Sequence, residues 1–139
     1  MRGVLFGLLA AAMLGGAASA APDPAVLSYK LPQDIPWKGD PAKGPQSYVI
    51  WGDPTKPGPY ALLVKWPPHM MSRPHTHPHE RYITVLSGTW WVGTGKTYDP
   101  DSTTPMPAGS SVVHFANQFH YDGAKDEPAV LEIVGEGPQ

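Results

Sequence analysis

The sequence contains no cysteine, which excludes disulfides, thiolate metal sites and cysteine nucleophiles together. A chain of 139 residues must then hold its fold by packing alone. Positive charge is scarce as well. Ten Lys and Arg stand against twelve Asp and Glu with no basic patch, which argues against nucleic acid as a partner. Amphipathic helical stripes, internal repeats and low-complexity tracts are also missing. One longer apolar run exists, from Val4 to Leu14, and it falls short of the roughly 20 residues that a membrane span needs. It follows the positive Met1-Arg2-Gly3 and precedes Ala18-Ser19-Ala20, the order of a cleaved export signal. The expectation is a signal peptide over residues 1–20, cleavage near Ala20-Ala21, and a periplasmic or secreted mature chain with no membrane partner.

What the chain does contain is turn formers and strand formers. Its 18 prolines and 15 glycines punctuate short runs rich in valine, tyrosine and tryptophan. Residues 21–47 carry Pro22, Pro24, Pro32, Pro36, Pro41 and Pro45 without apolar periodicity and read as an extended arm. Residues 48–138 read as one β domain. Its strand signals are Tyr48–Trp51, Tyr60–Trp66, Tyr82–Leu86, Thr89–Val92, Ser111–Phe115, a short Phe119–Tyr121 and Ala129–Val134. Gly93 to Lys96 reads as a turn, Asp99 to Thr104 as a polar loop, and Asp122-Gly123 and Asp126-Glu127-Pro128 as further turns. Strands at this spacing indicate a sandwich or a small barrel.

The chemistry concentrates in Pro74-His75-Thr76-His77-Pro78-His79-Glu80-Arg81. In an extended segment His75, His77 and His79 all point to one side, because strand side chains alternate with a period of two. Imidazole is the commonest protein ligand for transition metals, so His75 and His77 are the leading candidates. An apolar run then closes on Ser87-Gly88. Much later, Gly109 to Phe115 reads as strand and turn leading to His120.

With these residues in place the chain resembles the cupin superfamily, in its small single-domain branch. The first motif of that superfamily is His-x-His, a Glu some residues on and a glycine-ended strand, and here His75, His77 and Gly88 match it. The second motif sets a proline- or glycine-rich turn before another histidine, here His120. The likeness runs from Tyr48 to Pro138. It implies an all-β antiparallel double-stranded β-helix, the cupin jelly-roll barrel. It further implies that His75, His77 and His120 hold a divalent transition metal at the barrel mouth, with iron, manganese, nickel, zinc and copper all open. A small molecule would be ligand or substrate, and paired sheets would make a homodimer.

The motif's usual Glu position holds Arg81, and Glu80 sits one residue earlier, on the opposite face of a regular strand. A bulge at Pro78-His79 would bring Glu80 back as a ligand or general base. Otherwise His79 is the fourth ligand, or water or substrate completes the site. Arg81 either meets a bound anion or pairs with Glu80. His114 reads either as a satisfied interior histidine or as a group behind the ligands, and Tyr82 as core or a substrate contact. His69 with Met70-Met71 is plain loop and strand, with copper as the softer alternative. Of Trp90 and Trp91, one faces in and one out. Three functions stay open: a metal-dependent oxygenase, isomerase or hydrolase; a non-catalytic binder of a small molecule or metal; and a metal-free structural barrel.

Overall fold

The computed structural model describes residues 21–139, and the expected signal segment, 1–20, lies outside the described residues. The chain divides after Leu31 into two units. The described part of the first is a proline-rich stretch with one turn. Asp23 organises it: its carbonyl accepts from the amides of Val26 and Leu27 at 3.0 and 3.2 Å, and its carboxylate accepts from the amide of Ala25 at 2.8 Å.

The second unit, Pro32–Gln139, carries nine strands. They are β1 (Gln46–Trp51), β2 (Gly58–Trp66), β3 (Met70–Met71), β4 (Arg81–Ser87), β5 (Thr89–Thr94), β6 (Thr104–Pro107), β7 (Ser111–His114), β8 (His120–Ala124) and β9 (Ala129–Gly137). They form a five-stranded sheet in the order β1-β2-β9-β4-β7 and a four-stranded sheet in the order β3-β8-β5-β6. Every pairing is antiparallel. This is the all-β antiparallel jelly roll that the sequence led us to expect.

Alternation along the strands fills the space between the sheets. On β4, Arg81, Ile83 and Val85 are buried while Tyr82, Thr84 and Leu86 are exposed. Ile83 and Val85 pack with Tyr60, Leu62, Trp90 and Leu131 in one core. Each such side chain removed from water contributes roughly 1.5–3 kcal/mol. Trp90 is the inward ring, fully buried. Trp91 lies on the other face, half-buried, with the Lys125 ammonium 4.1 Å from its centroid. Gly88 turns the chain between β4 and β5 at φ +70°, where a Cβ would strike the carbonyl of Pro128.

Three local readings are corrected. Asp122-Gly123 is not a turn but the interior of β8, and Gly123 is required there because a Cβ would strike the carbonyl of Met70 on neighbouring β3. Gly93 belongs to β5, where the Tyr121 ring fills the place of a side chain. Thr104–Pro107 is a strand despite its two prolines. It ends its sheet, and an edge strand tolerates residues that cannot donate.

Candidate metal centre

Backbone pairing gathers the histidines. The amide of His75 donates to the carbonyl of His120 at 2.9 Å, and the amide of His120 returns the bond at 3.0 Å. Two residues that exchange both bonds across an antiparallel pair carry their side chains on the same face. One step on, Asn117 donates its amide to the carbonyl of His77 at 2.8 Å. Asn117 takes φ +58°, a conformation that Asn tolerates better than most residues, and so turns the chain from β7 into β8. His77 lies two residues beyond His75 and shares its side. The two distant motifs are therefore stitched together main chain to main chain.

The rings converge as a result. Centroids of His75 and His77 lie 4.9 Å apart, those of His75 and His120 4.5 Å, and those of His77 and His120 5.2 Å. One nitrogen from each falls within 4.8 Å of the others. Second partners decide which nitrogen that is. Nδ1 of His75 faces the Arg73 carbonyl at 2.8 Å, and Nδ1 of His120 faces the Gln118 carbonyl at 3.1 Å. A carbonyl only accepts, so both Nδ1 atoms carry hydrogen, and in the neutral ring that leaves the lone pair on Nε2. The Nε2 atoms of His77 and His120 are buried without a hydrogen-bond partner, and so is that of His114. For His75 and His120 a carbonyl behind Nδ1 fits a metal ion at the other nitrogen, since an imidazole ligand is normally backed by such a hydrogen bond.

His114 lies beside this group with its ring 3.7 Å from that of His120, yet it is wired the opposite way. On β7 it pairs directly with Arg81 of β4, whose Nη2 donates to His114 Nδ1 at 3.3 Å. Guanidinium only donates, so the hydrogen of His114 sits on Nε2 and that nitrogen has no lone pair to offer. Nitrogen and oxygen atoms of His114, His120 and Asp122 are also close enough to hold an ion, but this tautomer removes His114 from that set.

Electrostatics agree with neutral rings. Burial, with Arg81 and the neighbouring histidines, drops His77 to about 3. Burial also lowers His120 to about 4, against the opposing pull of the Gln118 carbonyl, and drops His114 to about 2. With His120 neutral, its 3.9 Å approach to Asp122 is not an ion pair. Burial raises the Asp122 carboxyl, Arg81 opposes that shift, and Trp90 donates Nε1–H to it at 3.3 Å. Burial likewise lowers Arg81, which as a guanidinium keeps its charge.

The remaining candidates are not gathered in. Glu80 is exposed and accepts from the hydroxyl of outward-facing Tyr82 at 3.0 Å, so no bulge turns it toward the imidazoles and Arg81 does not pair with it. His79 does not join the group among the described residues. His69 is exposed at φ +60° and lines a separate cavity of about 190 Å³ with Tyr98 and Lys125. Asp122, read as a turn residue, is instead a buried carboxylate in the site. The period of two from His120 to Asp122 was the available signal.

His75, Arg81 and Asp122 also line a cavity of about 380 Å³, together with Lys43, Ser72 and apolar side chains that include Trp66, Trp90 and Leu131. A small molecule of modest size fits such a volume. An ion held by three nitrogen donors would keep coordination positions open.

No protein-family model matches the chain, and no curated protein does either. Solved structures do resemble it. The polyketide cyclase RemF from Streptomyces resistomycificus superposes with a TM-score of 0.62 at 16% identity, over 79% of each chain. An RmlC-like cupin from Shewanella frigidimarina gives 0.61 at 12% identity, over 80% of this chain and 92% of that one. KdgF from a Halomonas species gives 0.59 at 18%, over 79% and 94%. The fold of this chain is the cupin fold.

Proposed function

We propose that the barrel mouth binds a divalent transition metal through His75, His77 and His120, and that a small molecule enters the adjoining cavity to meet it. The observation carrying this reading is that one nitrogen from each of the three rings lies within 4.8 Å of the others, with Nδ1 of His75 and of His120 each backed by a carbonyl. Iron, manganese, nickel, zinc and copper all suit imidazole, and the general affinity order favours copper and zinc. Once bound, the ion would supply Lewis acidity or, for iron and copper, redox chemistry. The protein's own part is to hold the rings neutral, exclude bulk water and orient the small molecule along the cavity wall.

This reading includes export to the periplasm or medium, supported by the leader-like Val4–Leu14 run and Ala18-Ser19-Ala20. It also includes a homodimer. Trp51, Tyr82 and Val113, in one paired row across the five-stranded sheet with buried Ala61 and half-buried Val134 between them, give that outer face exposed apolar side chains. Sedimentation of a monomer at micromolar concentration would remove the dimer.

Elemental analysis of untagged protein tests the core of the reading. About one transition metal per chain is expected, lost in His75→Ala and in His120→Ala and retained in His69→Ala. Metal-free wild-type protein after growth with all five metals would end it. With iron bound, oxygen consumption on anaerobic addition of candidate compounds identifies an oxygenase. Saturable thermal stabilisation without turnover identifies a binder.

A further inference from the structure

The charge of the cavity does not balance, and the imbalance names the ligand class. Three neutral imidazoles bring no negative charge to a dication. Where the cupin motif has Glu, this chain has Arg81, which adds another positive charge. Asp122 is the single carboxylate in the cavity lining, and its attraction offsets part of the Arg81 charge without direct pairing. No carboxylate among the described residues lies within ion-pair distance of Arg81.

Arg81 is 9% exposed, lines the cavity, and keeps its Nε without a hydrogen-bond partner. Its one side-chain partner, His114, is neutral. A buried guanidinium left this way is costly unless something else meets its donors. Lys43 also lines the cavity, but its ammonium is exposed and paired with Asp40 at 3.4 Å, so an anion gains less there than at a buried guanidinium. Val64, Trp66, Leu131 and Ile133 from the same sheet as Arg81 and Trp90 from the other give the lining its apolar part.

We infer that the cavity takes a small organic anion, a carboxylate with an apolar body, whose charged end docks on Arg81 and whose body lies along the tryptophan and aliphatic wall. This rests on the reading above that the cavity receives a small molecule beside a metal. A planar two-oxygen group matches the fork of guanidinium donors. The anion also supplies the negative charge that the donor set lacks.

The test uses untagged protein loaded with zinc. Benzoate and hexanoate are the anionic probes, benzamide and hexanamide their neutral counterparts, and phosphate the inorganic oxyanion. By calorimetry at least one carboxylate should bind about 10- to 100-fold tighter than its amide, the scale of a hydrogen-bonded charge. Arg81→Gln should erase that preference with zinc content undiminished, and Arg81→Lys should restore part of it. A readout free of substitutions comes from NMR. The arginines are Arg2, Arg73 and Arg81, so the Arg81 Nε–H resonance is traceable, and the preferred carboxylate should shift it.

Equal affinity for acids and amides in the wild type overturns the inference. So does a preference that survives Arg81→Gln, an unmoved Arg81 resonance, or binding of phosphate alone. Absence of zinc with the Arg81-dependent preference intact sinks the metal reading and leaves this one standing. Bound zinc without the preference does the reverse.

Discussion

Two sets of imidazoles sit almost in contact in this barrel and are hydrogen-bonded in opposite ways. His75 and His120 have a carbonyl behind Nδ1, while His114, one ring away from His120, has a guanidinium there. All three belong to the same cluster of close-packed rings. The difference lies in the group behind each ring: an acceptor forces hydrogen onto Nδ1 and frees Nε2 for a metal, and a donor does the reverse. Proximity alone does not make a histidine a ligand.

Exchanging members of the two sets gives the largest expected effect. His120→Ala should weaken zinc binding by more than about 100-fold, beyond what losing a supporting partner costs, whereas His114→Gln, which still accepts from Arg81, should weaken it by about tenfold or less. Competition against a chromogenic chelator measures both. Comparable losses would erase the distinction.

Removing the cation that sets the His114 tautomer comes next. Arg81→Gln should tighten zinc binding several-fold, since a positive charge near the site opposes a dication. Weaker binding with the fold intact would mean that Arg81 supports the ligands rather than opposing the ion.

A smaller effect is the pH dependence of the metal-free protein. His77, His120 and His114 fold with values of about 3, 4 and 2 against an ordinary 6.5, so the unfolded chain takes up protons that the folded chain refuses. Stability from these groups is complete above pH 6.5 and is lost progressively as pH falls from there toward about 2. Thermal melts should show the midpoint dropping over that window and flat between pH 7 and 8. A flat profile down to pH 4 would show the rings to be hydrated in the fold.

The smallest expected effects belong to the neighbours left outside. His79→Ala and Glu80→Gln should leave zinc affinity unchanged by the same competition assay. A loss at either would bring a fourth protein ligand into the site.

The strands and the three converging histidines were legible because each signal is local: alternation on β4, a proline stop after Trp66, His-x-His in an extended segment. Asp122 was not, because Asp-Gly is a turn pair by propensity and only the approach of β3 makes glycine necessary in β8. The proline-bearing β6 was missed because edge position is a property of the finished sheet. The inward aim of Arg81 followed from the alternation of β4, but its bond to His114 depends on pairing across 33 residues of chain. The tautomers depend on carbonyls that carry no side-chain signature at all.

Long-range nitrogen–proton NMR of the ring nitrogens tests the central claim most directly. In metal-free protein at pH 7.5 the account predicts Nδ1–H for His75 and His120 and Nε2–H for His114. On adding zinc, the Nε2 signals of His75, His77 and His120 should move and that of His114 should stay. An Nε2–H form of His120, or a His114 signal that follows the zinc titration, would contradict it.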